Sequence, residues 1–382
     1  MRIASIIGTR PQLIKAAALS PVLRRDHDEI LVDTGQHYDA DLAGEHFDSL
    51  GLGRPEHTLG IGSGPAAEQT GRMLIALADV LAAERPDAVL VYGDTNSTLA
   101  GALAGAKAGL PVAHVEAGLR SFDRRMPEET NRIVADHVAR WLFAPTPTAV
   151  RNLEAEGIRD GILLVGDVMQ DLAARLLDDI RDSAVLAEIE PAIVAAAGAS
   201  GAAGAGGRGL RLVPGGYLFA TVHRAENREP AAIREWAALL GAVATPDRPV
   251  ILALHPGTRA ILDASGIQLP PDVVVVGPQG YRASLALQLH AAAVVTDSGG
   301  IQRETAWFGV PCLILRSTTE WVEAVAESGG LMVVVGRDGT LAARELARLA
   351  PIAGGEGQAR TRADRLRLAP SGAAAAISAA LR

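Results

Sequence analysis

Two doubly wound α/β domains facing each other across a cleft are the fold this sequence predicts, and three observations predict it. Short apolar runs alternate with helix-period segments along the whole chain, which is the pattern of βαβ units and a parallel sheet. The 382 residues exceed one typical domain. The alternation also runs through two separate series, with a Gly/Ala/Ser tract, AAAGASGAAGAGGRG at residues 195–209, between them. The expected division is residues 1–168 plus a returning C-terminal helix at 366–382, and residues 169–365. The 195–209 tract is then a flexible insertion within the second domain.

In the first series the runs are RIASIIG, EILVDTG, DAVLVYG, PVAHVEA, WLFAPT and GILLVGD; in the second, YLFATVH, PVILALH, VVVVGP, AVVTDS, PCLILR and LMVVVG. Each is continuous rather than alternating, as a strand covered on both faces requires. Between them, segments such as EQTGRMLIALADVLAAE carry apolar residues at helical spacing. The segment MQDLAARLLDDI reads as the helix opening the second domain, and SGAAAAISAALR as the last helix.

Composition narrows the function. The chain is 48% hydrophobic and only 3% aromatic, with a mean hydropathy of +0.19, which suits buried strands and close helix packing. A net charge of −8 argues against a nucleic-acid partner or an anionic membrane surface. The lone Cys312, inside VPCLILR, excludes a disulfide framework and a cysteine zinc site, and reads as core. MRIASIIG reads directly as a first strand, so no signal peptide is expected, and no run approaches 18 apolar residues. A soluble, cytoplasmic protein is expected.

In open α/β sheets ligands bind beyond the carboxyl ends of the strands, so the residues following each run carry the functional reading. After the first comes GTRPQLIK, where Arg10 and Lys15 add charge at a helix start; without a GxGxxG pattern there is no dinucleotide fingerprint. Asp94 follows DAVLVYG and reads either as a helix cap or as a functional acid. Glu116 ends the next run, and Glu128 and Glu129 open PEETNRIVADHV, where one of the two can be structural. The same stretch holds Arg120, Arg124 and Arg125, whose roles spacing does not assign. In the second series His223 and His255 each follow a run. TDSGGIQRETAWFG then places Ser298, Gly299 and Gly300 at a strand-to-helix turn whose backbone N–H groups suit a diphosphate, with Glu304 about one turn further on.

Taken together and in order, GTRPQLIK, TGQHYD, YGDTNSTLAG, HVEAGLRS, MPEETNR, VHRAEN, HPGTR, TDSGGIQRE and STTE strongly resemble the non-hydrolysing UDP-N-acetylglucosamine 2-epimerase family, over nearly the whole chain. The resemblance implies two Rossmann-like domains of the B-type glycosyltransferase fold. It also implies a homodimer and reversible inversion at C2 of a UDP-linked 2-acetamido sugar. By the same resemblance Arg10, Lys15, Asp94, Glu116, Glu128 and His223 belong to the reacting centre, with Arg10 and His223 near the phosphates. Gln279, Ser298, Gly299, Gly300 and Glu304 would hold the UDP. Glu128, not Glu129, is the catalytic member that the resemblance implies.

The implied chemistry eliminates UDP across C1–C2 to a 2-acetamidoglucal and adds it back. Breaking C1–O acidifies C2–H, cations and a helix amino terminus stabilise the leaving diphosphate, and inversion calls for acid–base groups on both faces. Neither metal nor redox cofactor is expected. Two features depart from the pattern of members acting on UDP-N-acetylglucosamine. Trp321 and Val322 stand where Arg and Pro follow STTE, as in members acting on modified sugars such as UDP-2,3-diacetamido uronic acids. TGQHYDAD keeps Gln36 and His37, but not the polar pattern that follows in members with an allosteric second substrate site. A B-type glycosyltransferase would share the nucleotide site but has no use for this carboxylate set; a catalytically silent UDP-sugar binder would not need it either.

Overall fold

The computed structural model describes residues 1–36, 47, 50–199, 210–353 and 356–382; His37 and residues 200–209 of the Gly/Ala/Ser tract lie outside them. The chain divides into two compact units, Met1–Arg175 with Ala369–Arg382, and Leu176–Leu368.

The first unit is built on a parallel sheet of β1 (Arg2–Ile7), β2 (Asp28–Asp33), β3 (His57–Thr58), β4 (Ala88–Tyr92), β5 (Val112–Val115), β6 (Trp141–Ala144) and β7 (Ile162–Leu164), in the order β3-β2-β1-β4-β5-β6-β7. Six of these are the apolar runs of the first series. The seventh, β3, is two residues long and lies at the edge beside β2; no apolar run marks it. Ile6 and Val91 sit in register on β1 and β4, and the core around them joins Ile30, Val32, Met73, Leu77 and Val89. The order reverses between β1 and β4, so the crevice at their carboxyl ends is the topological switch point, where such sheets bind ligands.

The turn out of β1 is sterically committed. A β-carbon on Gly8 would lie 1.9 Å from Thr34 Oγ1 and 2.3 Å from Ser97 Oγ, two hydroxyls that hydrogen-bond each other at 2.8 Å. Gly8→Ala is therefore expected to lower stability by about 2 kcal/mol through overpacking, read as a lower denaturant midpoint; an unchanged midpoint would show that the crevice yields freely.

The C-terminal helix Ala373–Ala380 belongs to this first unit. Its Ile377 is fully buried, Asp171 accepts from the backbone N–H of Gly372 and Ala374 at its start, and His27 Nε2 donates to the Ser378 carbonyl (2.9 Å) near its end.

The second unit repeats the plan with β8 (Leu218–Val222), β9 (Val250–Leu254), β10 (Val273–Val276), β11 (Ala293–Thr296), β12 (Cys312–Ile314) and β13 (Met332–Val334), ordered β10-β9-β8-β11-β12-β13. All six are the runs of the second series, and the reversal falls between β8 and β11. Trp236 is fully buried in the core with Ile233, Leu252 and Val295, and its indole N–H donates to the Asn227 carbonyl (3.0 Å). Burial pushes the Cys312 thiol up to about 12, leaving it a core residue without thiolate character. Among the described residues no helix is long and apolar enough to cross a membrane.

Candidate functional site

At the switch point of the first unit, the helix Arg10–Asp26 begins directly after β1 with Pro11 in its first turn. One turn in, it buries Lys15, whose Nζ donates to Glu116 Oε2. Glu116 follows β5 in the left-handed backbone region, at φ 73°. For a residue with a β-carbon that conformation is strained, and such strain is kept where a side chain must be aimed. A β-carbon on Gly93 would come within 2.8 Å of Lys15 Nζ and 3.2 Å of Glu116 Oε2, so glycine is what lets the β4 turn pass over this pair.

Charge and burial compete in the pair. Burial works against the Lys15 ammonium, but Glu116, Asp94 and Asp167 outweigh it and hold its pKa above the ordinary lysine value. Burial pushes the Glu116 carboxyl up; Lys15 offsets part of that, while Asp167 and Asp94 add to it. Lys15 thus keeps its proton while Glu116 becomes easier to protonate, which is the separation that acid–base work near neutral pH requires.

Asp94, after β4, is not the helix cap. Thr95 caps the helix Asn96–Lys107 in a capping box with Thr98, and Asp94 Oδ2 instead accepts from Arg132 Nη1. Arg132 also reaches Glu129 Oε2 through Nε (3.0 Å) and Nη2 (2.7 Å). Glu129 further accepts from the Ser121 N–H and hydroxyl (both 3.0 Å) and the Phe122 N–H (2.8 Å). Burial alone would raise the Glu129 carboxyl; the Ser121 and Phe122 N–H groups and the Arg132 guanidinium hold it below the usual range. Glu129 therefore has a structural role in this turn, and Glu128 is half-buried beside it.

Of the three arginines near the site, Arg120 is buried against Asp136 (2.7 Å) and Glu156 (2.7 Å), and Arg125 pairs with Asp123 at the surface (2.8 Å). Arg124 is exposed. Behind the carboxylates, His114 is fully buried; its Nε2 donates to the Gly93 carbonyl (2.7 Å) and its Nδ1 lies 2.6 Å from Asp136 Oδ1. The other Asp136 oxygen accepts from the Gly118 N–H (3.1 Å). Asp136 thereby holds the chain on both sides of the strained Glu116.

In the second unit the switch point is organised by Asp297, fully buried at the end of β11. It accepts from the His223 N–H (3.0 and 3.1 Å), the Arg224 N–H (2.9 Å) and Asn227 Nδ2 (2.8 Å), and His223 Nδ1 lies 3.2 Å away. Burial would raise its pKa, but His223, Asn227 and the Arg224 N–H outweigh it and bring it down to about 2. A carboxylate at that position fixes the proton on His223 Nδ1, and the side chain, 42% exposed, presents Nε2 on its other edge.

Ser298 caps the helix Gly299–Phe308, accepting from the Ile301 N–H. A β-carbon on Gly299 would meet Glu320 Oε1 at 2.7 Å and Trp321 Nε1 at 2.9 Å. Glu320 is held by Arg224 (3.2 Å) and Arg316 (2.6 Å), and the buried Trp321 ring lies under Arg303, 4.6 Å from the guanidinium to the ring centre. Glu304 is buried, with Gln288 Nε2 donating to it at 2.6 Å. Gln279 is half-buried and donates to the Gly277 carbonyl (2.9 Å). His255 caps the helix Pro256–Ser265 through Nδ1 (3.1 Å) and has a structural role. Among the described residues no group of His, Cys, Asp and Glu could hold a metal ion.

Sequence reasoning named Lys15, Asp94 and Glu116, which interact with one another, Arg10 and Glu128, which stand at the starts of the helices Arg10–Asp26 and Pro127–Val138, and His223, Gln279, Ser298, Gly299, Gly300 and Glu304 of the second unit. It missed Arg132, His114 and Asp297. Arg132 had a signal in its spacing of three from Glu129 on one helix; His114 and Asp297 had only their places in or after an apolar run.

The chain matches the family model of UDP-N-acetylglucosamine 2-epimerase over residues 22–362. It is 42% identical to a UDP-N-acetylglucosamine 2-epimerase homolog of Methanococcus maripaludis, over 87% of this chain and 88% of that one. It is also 42% identical to the UDP-2,3-diacetamido-2,3-dideoxy-D-glucuronate 2-epimerase of Pseudomonas aeruginosa, over 88% and 90%. The structure of Methanocaldococcus jannaschii UDP-GlcNAc 2-epimerase in complex with UDP-GlcNAc and UDP superimposes with a TM-score of 0.82 at 32% identity, covering 100% of this chain and 99% of that one. A fold likeness alone extends to the spinosyn rhamnosyltransferase SpnG (TM-score 0.51, 14% identity, 100% of both chains), so the two parallel-sheet units follow the B-type glycosyltransferase fold.

Proposed function

As a member of the UDP-N-acetylglucosamine 2-epimerase family, the chain is an isomerase acting at C2 of a UDP-sugar, and we propose that its substrate is UDP-N-acetylglucosamine. The product is UDP-N-acetylmannosamine, formed by elimination and re-addition of UDP. The observation that carries this reading is the switch point of the first unit, where Lys15, Glu116, Asp94 and Arg132 form one charged cluster.

The roles follow from the chemistry. One carboxylate takes the C2 proton, the C1–O bond breaks with its electron pair going to UDP, and a proton returns to the opposite face of C2 as UDP adds back. Asp94, Glu116 and Glu128 are the acid–base groups. Glu116, with its carboxyl raised, is the member best suited to deliver a proton. Arg10 and His223 Nε2 take the charge that grows on the leaving diphosphate. The Gly299 and Gly300 N–H groups and the Ser298 hydroxyl, at the start of a ten-residue helix, hold that diphosphate, with Gln279 and Glu304 on the rest of the UDP. The reaction transfers protons without oxidation, so it calls for no redox cofactor. The protein is read as a cytoplasmic homodimer, which light scattering on the purified chain checks for the assembly.

A second reading, UDP-2,3-diacetamido-2,3-dideoxy-glucuronate as substrate, is favoured by Trp321. This indole abuts Gly299 and carries the Arg303 guanidinium, at the position where the family resemblance implies an arginine for many members acting on UDP-N-acetylglucosamine. Incubation with UDP-N-acetylglucosamine in D2O decides between the two. Deuterium at C2 together with the manno epimer is the expected result. Exchange only with the diacetamido uronate would transfer the activity to that sugar, and exchange with neither would refute epimerisation of both.

A further inference from the structure

Phe122, in the segment between β5 and the helix Pro127–Val138, has two properties that neither packing nor the acid–base set explains. Its side chain is 78% exposed, and its backbone is left-handed at φ 57°. A phenylalanine gains nothing there from burial to offset the strain, and a glycine or asparagine would hold the same turn more easily. The surroundings nevertheless enforce it. Glu129 Oε1 accepts from the Phe122 N–H (2.8 Å), Glu129 Oε2 accepts from the Ser121 N–H (3.0 Å), and Arg132 Nη2 approaches Ser121 Oγ (3.3 Å). That same Arg132 holds Asp94 through Nη1. One guanidinium thus fixes both an acid of the reacting centre and the turn that projects the ring.

We propose that Phe122 is a specificity-determining residue whose ring packs on a C–H face of the substrate's sugar. The inference rests on the proposed reaction, because it takes the sugar to lie at Asp94. An aromatic face suits a pyranose: it excludes water from one side of the ring without a hydrogen bond that inversion at C2 would break. The strain is then kept for function rather than for stability.

The test compares wild type with Phe122→Ala, Phe122→Gly and Phe122→Tyr in the D2O exchange assay, using whichever of the two sugars the wild type turns over. Phe122→Ala and Phe122→Gly are expected to raise KM about 5- to 10-fold with kcat within about twofold. Phe122→Tyr should keep the wild-type KM, and the Kd for UDP alone should not move in any of them. Phe122→Gly should at the same time melt about 2 °C higher, since glycine relieves the turn. Unchanged KM in Phe122→Ala, or a rise matched by an equal loss of UDP affinity, would overturn the inference, as would a loss of KM that tracked a change in oligomeric state. Wild-type silence toward both sugars would remove the proposed function first, and this inference with it.

Discussion

Glu116→Gln is expected to lower kcat by about 10²- to 10⁴-fold while the protein still folds and binds UDP. The amide fills the same volume and meets the same left-handed backbone, which Glu116 already occupies at φ 73°. What it cannot do is exchange a proton. Removing the carboxylate also takes a charge from Lys15, yet Asp94 and Asp167 still face that ammonium, so the loss of stability should stay within about 1–3 kcal/mol. Glu129→Gln makes the complementary control. That glutamate holds the Ser121–Phe122 turn and Arg132, so its replacement should cost stability and loosen Asp94 indirectly. Deuterium incorporation at C2, kcat and the Kd for UDP separate the cases. A Glu116→Gln protein with kcat within tenfold of wild type would take Glu116 out of the proton path.

The same contrast shows what a sequence of this kind discloses. Twelve of the thirteen strands are legible because a parallel sheet covered on both faces demands unbroken apolar runs; β3, two residues at an edge, meets no such demand. Sites at strand ends are legible for the same reason, since topology dictates where they fall. Partners are not. Asp94 stands where a cap is common, and only the capping box made by Thr95 frees it from that role. Glu128 and Glu129 are neighbours of the same chemistry, separated by a helical rotation that aims one at the backbone of residues 121 and 122. Arg120 and Arg132 have equal charge, but Arg120 is paired with Asp136 and Glu156, whereas Arg132 reaches Asp94. The strain at Glu116 and Phe122 leaves no mark in composition at all, because it is imposed by particular contacts, those of Asp136 on either side of Glu116 and that of Glu129 with the Phe122 N–H.

Asp297 concentrates that point in one residue and gives the largest stability effect expected here. Asp297→Ala should destabilise the second unit by about 3–5 kcal/mol, because a fully buried carboxylate is removed from the several donors it satisfies. Those donors are the His223 and Arg224 N–H groups and Asn227 Nδ2, and with them goes the register between the ends of β8 and β11. Asp297→Asn keeps the shape but turns one acceptor into a donor, so it should lose less stability while releasing the His223 Nδ1 proton from its fixed position. Acid provides an independent reading. The folded carboxyl titrates at about 2, below its unfolded value, so its contribution is complete above about pH 4 and is lost as the pH falls toward 2. The depression corresponds to about 2 kcal/mol. Denaturant midpoints of wild type and Asp297→Asn should therefore differ most above pH 4 and converge between pH 4 and pH 2. Curves that stay parallel through that window would mean that Asp297 does not hold the second switch point as a carboxylate, and that His223 is oriented by something else.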